Sequence, residues 1–398
     1  MSNFTPYQWQ QLEAAADTPI WIDTVADLET YCAHWQTLPL IALDTEFQRV
    51  ETFYPIPGLI QLADDKACYL IDPLAIDDFS ALKALFENTD VIKVMHAATE
   101  DLELFLNSLN CLPAPLHDTQ VAAAFLGWGA SMGLQRMLEQ VLQVTVAKGE
   151  TTSNWLQRPL TESQEHYAAL DVAYLPALYA LQVEQLEQKG MTDWIAQECL
   201  ALLHGALDVD PEGLVYYQRF SQVWNYPEHK IAALRDLTAW REQTARRRDV
   251  PRNRILSNQA LIRIIETWPR SVADLAQLDD VKKRVLRNDG AIILSLLKNG
   301  VRSAQEEVPA PVDRPLHYFW NKPLKKLKAV IRKVAESYDV PPELLLRRKE
   351  LEALVRSGIE QGNYRLPDSV SPWRKQLVET PLLAELAEIE QQRTQEAN

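Results

Sequence analysis

The chain reads as an α/β domain of about 200 residues with a mixed sheet, followed by two all-α units. Three observations predict this. Strand-like and helix-like runs alternate as far as Leu109, strand signals then fade out, and beyond Ala206 every patterned segment has helical spacing. Length agrees, because 398 residues at about 100 to 200 per domain call for two to four domains.

The runs Leu40–Phe47, Leu59–Ala63 and Cys68–Ile71 predict strands, and the short gap between the last two leaves room only for a turn, so the sheet starts antiparallel. Phe79–Phe86 predicts a helix and Val91–Met95 a strand. Leu102, Phe105, Leu106 and Leu109 have the i, i+3, i+4, i+7 spacing of an amphipathic helix. Further helical patterns cover Val121–Phe125, Leu134–Leu142 and Glu162–Leu186.

In the second half Asp249-Val250-Pro251 recurs as Asp339-Val340-Pro341. At the same offset Leu234, Leu237, Ala245, Leu256 and Leu261 recur as Leu324, Leu327, Ala335, Leu346 and Leu351. The expected organisation is an α/β domain at 1–206, a helical unit at 207–302, a polar proline-rich linker at 303–315 and a related helical unit at 316–384. The polar tail 385–398 is expected to fray.

Composition limits function. With 47% hydrophobic and 24% charged residues, 12 Gly and 23 Pro, collagen-like and wholly disordered chains are excluded. The formal charge of −15 argues against coating nucleic acid or membrane by bulk charge, so any such contact needs local basic patches. Cys32, Cys68, Cys111 and Cys199 form no CxxC pair, which suggests neither a disulfide framework nor a cysteine zinc site. Met1–Ile20 lacks the basic start and apolar centre of a signal peptide, and no run of about 18 apolar residues follows. The expectation is a soluble, cytoplasmic protein with no membrane partner. The absence of coiled-coil heptads adds the expectation of a monomer.

Asp44 and Glu46 close the apolar run Leu40–Leu43. Residues two apart on a strand share a face, about 6.6 Å apart along the chain, so both carboxylates aim at one point. Such a pair alone is more often a solvated strand end. Asp101 follows a predicted strand, with Thr99 as a plausible N-cap and acids in the first turn favoured by the helix dipole. Thr161 and Gln164 form a capping-box signature, starting a helix on which Tyr167, Leu170, Asp171, Tyr174 and Leu178 share one face. Either the helix is rotated to expose Asp171, or this carboxylate in apolar company needs a cation, a hydrogen-bond network or a metal. The four acids Asp44, Glu46, Asp101 and Asp171 are an all-oxygen set suited to Mg²⁺ or Mn²⁺.

The segments DTEF (Asp44 to Phe47), HAATED (His96 to Asp101) and YAALD (Tyr167 to Asp171) resemble, in order and spacing, the three exonuclease motifs of the tyrosine branch of the DEDD superfamily. Thr52–Ala63, His117–Gly127 and Asn154–Gln164 are further similar to ribonuclease D, and Phe220–Leu278 is similar to the HRDC domain shared with RecQ helicases. The resemblance implies a ribonuclease H-like exonuclease domain followed by two HRDC-like domains. It implies two divalent ions, one held at Asp44, Glu46 and Asp171 to activate water, the other between Asp44 and Asp101 to stabilise the leaving 3′ oxygen. Tyr167 would orient the water, since a pKa near 10 makes it a poor base at neutral pH. The activity implied is 3′ to 5′ exoribonucleolytic release of nucleoside 5′-monophosphates from transfer-RNA precursors and other small stable RNAs.

Two other readings compete. A DNA exonuclease would use the same carboxylates, and a catalytically dead nucleic-acid-binding module would use only the helical units, although the intact acids argue against the latter. For RNA contact the sequence offers Trp155 to stack a base and Arg158 to hold a phosphate. It offers also Arg246, Arg247 and Arg248 with Arg252 and Arg254, and a second cluster at Lys322, Lys325, Lys326, Lys328, Arg332 and Lys333.

Overall fold

The computed structural model of the chain describes residues 9–146, 149, 153–207 and 210–397; the expected domain start at Met1 and the tail end at Asn398 lie outside them. The first part runs α1 (Trp9–Ala15), β1 (Ile20–Ile22), α2 (Val25–Trp35), β2 (Leu40–Gln48), β3 (Ile56–Ala63), β4 (Cys68–Ile71), α3 (Ser80–Glu87), β5 (Ile92–Met95), α4 (Thr99–Leu109), β6 (Leu116–Asp118), α5 (Thr119–Phe125), α6 (Leu134–Val141), α7 (Glu162–Ala173), α8 (Leu175–Lys189) and α9 (Thr192–Leu207). The first helical repeat holds α10 (Glu228–Arg248), α11 (Arg252–Ile255), α12 (Asn258–Thr267), α13 (Val272–Leu275) and α14 (Lys283–Glu306). The second holds α15 (Asn321–Tyr338), α16 (Pro342–Leu345), α17 (Arg348–Gln361) and α18 (Pro372–Ala397).

The six strands lie in the order β1-β4-β3-β2-β5-β6. The sheet is mixed: β3 and β4 are antiparallel, whereas β1–β4, β2–β5 and β5–β6 are parallel. Its apolar runs explain the central position of β2, whose residues Leu40 to Leu43 are all buried. Period-two alternation sends Ile41 and Leu43 to one core and Leu40 and Ala42 to the other. β1 and β6, three residues each, are too short for such a pattern to reveal them, and β6 corrects the expectation that strands end before Leu109.

Other expectations change for identifiable reasons. The single helix expected over Glu162–Leu186 is broken at Tyr174, because Pro176 in the first turn of α8 has no N–H to give and would clash with the preceding turn. Thr99 is not an N-cap. It is the first residue of α4, whose N-cap Ala98 makes no side-chain bond, and the Asp118 carboxylate takes the Ala97 and Ala98 N–H groups instead. The linker expected at 303–315 begins later, since α14 continues to Glu306 with Ala304 buried. Nor does the tail fray after Glu385: α18 reaches Ala397, held by buried Leu386 and Ile389 and by the Tyr364 hydroxyl donating to Glu390 at 2.6 Å.

The chain forms two compact units. One comprises residues 1–48, 57–207 and 316–398, the other 49–56 and 208–315. In the first, one hydrophobic core runs from Phe105 and Phe125 through Trp320, Leu327, Trp373 and Leu386, with Trp194 stacked on Trp373 at 4.8 Å between ring centroids. In the second, α10 packs along α14 around Leu234, Leu237, Ile264 and Ile293. The Asp249 carboxylate there accepts the N–H groups of Phe53 and Tyr54 at 2.9 and 3.1 Å, while Arg246 and Arg252 lie over the Phe53 ring.

Arg374 is 6% exposed and pairs with Glu198 and, at 3.6 Å, with Glu350. Glu198 also accepts from Trp373 Nε1 at 2.9 Å and Ser371 Oγ at 3.1 Å. Removing one partner of such a buried network strands the other charges, so Arg374→Ala should cost about 3 to 5 kcal/mol in urea unfolding. A loss under about 1 kcal/mol would place this pair among ordinary surface bridges.

Candidate active site

β2 carries Asp44 and Glu46 on the face of Leu40 and Ala42, where α7 also packs. The face continues apolar residues into carboxylates as the strand runs out of the core, and both acids are only half-buried. Thr45 points to the other face and is buried. Its hydroxyl donates to the Asp101 carboxylate, so one turn of strand pleat fixes acids on both sides. The Thr45 N–H donates to Asp44 Oδ1 at 2.9 Å.

Asp101 is 7% exposed, in the first turn of α4. That turn is set by Asp118, which accepts from the N–H groups of Ala97, Ala98, Gln120 and Val121 at 2.8–3.2 Å. Ala97 has φ +58°, a left-handed conformation that a non-glycine residue adopts only when held. Thr45 and Asp118 were not singled out as site residues. The signal for Thr45 was its place between two acids on a strand, and for Asp118 the Asp-Thr pair that starts a helix.

α7 begins with the expected capping box, Thr161 and Gln164 each bonded to the other's backbone. Tyr167 and Asp171 lie one turn apart, and the Tyr167 hydroxyl donates to the Asp171 carboxylate. A Cβ on Gly149 would fall 1.7 Å from Tyr167 Cε2, so at this position only glycine fits against the ring. Beside Tyr167 and Asp171 opens a cavity of about 340 Å³, lined also by Gly133, Leu134 and Leu170.

The two residues expected to touch RNA near the site are structural instead. Trp155 is 2% exposed, and a Cβ on Gly58 would lie 2.8 Å from Trp155 Cβ, so its ring is packed beneath the site and closed to a base. Arg158 has all five N–H donors engaged, with Asp72 (twice), Gly58 O, Trp155 O and Gln157 O at 2.6–3.1 Å. It braces the segment leading into α7 and has no donor left for a phosphate. Of the arginine cluster, Arg246 pairs with Glu242 at 2.8 Å and Arg248 with Asp289 at 2.6 Å. Arg247 is exposed and bonds Thr244 at 3.3 Å.

Burial raises all four acids, and at Asp44 and Glu46 the charges of the other acids add to it. Burial and then the charges of Asp101, Asp171 and Glu46 push Asp44 well above the usual carboxylate range. Burial, with Asp171 and Asp101, lifts Glu46 to about 8. Burial lifts Asp101 to about 7 against the opposing Thr45 bond, and Asp171 to about 7 against that of Tyr167. No three of them bring ligand oxygens within 4.8 Å of one another; among the described residues only His34, Asp64 and Asp65 do so. In that trio Asp64 belongs to a turn, accepting the Lys66 and Ala67 N–H groups and the Tyr69 hydroxyl, with His34 of α2 at 3.6 Å. The four acids of this site, hard oxygen donors with unrelieved repulsion, suit divalent cations in their chemistry.

A carboxyl raised in the folded state is protonated there while the unfolded chain has already ionised, between about pH 4 and, for Asp101 and Asp171, about 7. Stability contributed by these groups therefore falls as pH rises through that window. In EDTA at pH 8, Asp101→Asn, which can still accept from Thr45, should raise the melting temperature, by about 2 to 4 °C per kcal/mol relieved. Mg²⁺ should stabilise the wild-type chain more at pH 8 than at pH 5. Equal stabilisation at both would mean that the ions do not meet these acids.

The chain matches the family description 3′-5′ exonuclease over residues 19–187, HRDC domain over 231–297, and ribonuclease D C-terminal HRDC domain over 319–382. It is 41% identical to ribonuclease D of Pseudomonas paraeruginosa over 365 residues, which is 91% of this chain and 96% of that protein. To ribonuclease D of Escherichia coli it is 35% identical over 363 residues, 90% of this chain and 95% of that one. A crystal structure of Escherichia coli RNase D superimposes with a TM-score of 0.86 at 33% identity, covering 93% of this chain and 99% of that one. No helix is long and apolar enough to cross a membrane among the described residues. With a mixed sheet whose central strand ends in acids and two helical repeats following it in sequence, the chain belongs to the ribonuclease D family and is a metal-dependent 3′ to 5′ exoribonuclease.

Proposed function

We propose that the chain, working as a monomer, trims the 3′ ends of transfer-RNA precursors and other small stable RNAs, releasing nucleoside 5′-monophosphates with two divalent ions, Mg²⁺ or Mn²⁺. The observation that carries this reading is the convergence of Asp44, Glu46, Asp101 and Asp171, each raised in pKa, beside a tyrosine bonded to one of them. Asp44, Glu46 and Asp171 would hold one ion, and Asp44 with Asp101 the other. Bound there, such ions supply a water activated for in-line attack and neutralise charge on the leaving 3′ oxygen.

The chain's own residues do the rest. Thr45 fixes the Asp101 carboxylate, and the cavity beside Leu170 and Tyr167 would seat the terminal nucleotide. Burial and the neighbouring acids raise Tyr167 above its ordinary range, so its hydroxyl keeps its proton at neutral pH; with that proton given to Asp171, the hydroxyl oxygen would orient the attacking water by accepting a hydrogen bond rather than by removing a proton. In this reading 1–206 performs the chemistry, while 207–302 and 316–384 serve substrate binding.

Asp44→Asn and Asp171→Asn should each abolish hydrolysis of end-labelled RNA in Mg²⁺ while the melting curve in EDTA stays normal or improves. Retention of more than about a tenth of the wild-type rate corresponds to only about 1.4 kcal/mol of barrier and would refute the assignment.

Tyr167→Phe keeps the ring that packs on Gly149 and removes the hydroxyl. The single-turnover rate should fall by roughly 10- to 1,000-fold with little change in RNA affinity; an unchanged rate would leave Tyr167 a packing residue.

A further inference from the structure

In the second helical repeat, Tyr318 stands 77% exposed, a large aromatic ring that the core does not use. It borders a cleft of about 500 Å³ whose wall is completed by Phe319, Lys322, Lys326 and Arg393, with buried Ile389 as its floor. Two of the cations are partly balanced: Lys326 lies 3.9 Å from Glu385 and donates to Gln392 at 3.1 Å, and Arg393 lies 3.8 Å from Glu390 while covering Phe319. Lys322 is exposed and has no carboxylate partner among the described residues.

The cleft opens onto more positive charge. At 3.6 residues per turn, Lys322, Lys325, Lys326, Lys328, Arg332 and Lys333 fall within an arc of about 160° on α15, opposite the buried Leu327, Ile331 and Ala335. All six are exposed. From Lys322 to Arg332 they extend about 15 Å along the helix. In a chain of net charge −15, a row of cations leading from an exposed aromatic ring is a local exception. Its chemistry, a π-face next to point charges, matches an unpaired nucleotide: base on the ring, phosphates on the lysines.

We propose that this cleft is an exosite for single-stranded RNA, in which a base stacks on Tyr318 and its flanking phosphates meet Lys322 and Lys325, apart from the carboxylates that cut the chain. The inference rests on the reading of the protein as an RNA-processing enzyme and names a second place where that RNA is held.

The test uses the full chain and a fluorescein-labelled single-stranded RNA of about 25 nucleotides, with binding read by anisotropy in EDTA and hydrolysis of a trinucleotide read in Mg²⁺. Tyr318→Ala should weaken binding of the long RNA by about 5- to 150-fold, the value of one stacked base. Tyr318→Phe should restore it, and the trinucleotide should be cut at the wild-type rate by both. Lys322→Gln should flatten the dependence of log affinity on log salt by about 0.7.

Unchanged affinity in Tyr318→Ala overturns the exosite, even if Lys322→Gln weakens binding, because the basic face would then act without the cleft. A sedimenting mass that falls on Tyr318 substitution would give the cleft to a second copy of the chain and also overturn it. If the wild-type chain neither binds nor cuts RNA, the functional reading itself fails, and the two failures are thereby distinguished.

Discussion

Four carboxylates held near one another without a cation are electrostatically unfavourable, and much of the α/β unit serves to keep them there. Asp44 and Glu46 are carried on the central strand of the sheet, where Leu40 to Leu43 are buried on both faces and the backbone has little freedom to move apart. Asp101 and Asp171 come from helices on opposite sides of that strand. Each is tied by one hydrogen bond from a neutral hydroxyl, Thr45 and Tyr167 respectively. A neutral donor stabilises the ionised form without cancelling its charge, so the acids stay fixed in direction and still available to a metal.

The supporting groups solve a different problem, that of fixing irregular backbone beside a polar cleft. Asp118 gathers four N–H groups and so holds the left-handed turn at Ala97 that aims α4. Arg158 satisfies three carbonyl oxygens and one carboxylate in the segment that launches α7. Burial alone would raise Asp72, but the Arg158 bonds and charge, with the Leu74 N–H, hold it below the usual range. Asp118 is buried and Arg158 half-buried, each with its hydrogen-bonding capacity filled, the arrangement in which such groups contribute specificity of geometry.

Much of this was legible in the sequence because it rests on local periodicity. The alternation that puts Asp44 and Glu46 on one face, the i, i+4 step from Tyr167 to Asp171 and the capping box at Thr161 each need only a few consecutive residues. The Asp-Val-Pro repeat was legible too: Asp249 and Asp339 both end a long helix in the left-handed conformation, at φ 46° and 54°, each followed by a four-residue helix. What stayed hidden depends on distant partners. Nothing near Arg158 in the chain announces Asp72, 86 residues away, and nothing near Trp155 announces Gly58 pressed against it. The break at Tyr174 could have been read from Pro176, whereas the order of α18 beyond Glu385 depends on Tyr364 and on burial of Ile389, which a polar local composition does not reveal.

The two basic clusters show how far composition and structure can part. Both looked alike as runs of cations in an acidic chain, yet carboxylates of its own compact unit neutralise most arginines of the first cluster: Glu242 bonds Arg246 and Arg252, Asp289 bonds Arg248, and Glu51 bonds Arg254. A phosphate arriving there would have to displace partners that are already well placed, and Glu242 and Asp289 are buried, so losing them would leave charges stranded. On α15 the acids are sparser, and Lys322, Lys325, Lys328, Arg332 and Lys333 face solvent without a carboxylate among the described residues. Counterion release rewards cations that are not yet neutralised. Within a chain whose net charge repels RNA, the second repeat therefore offers the more favourable electrostatic surface, although its motif match to the first is limited to a few positions.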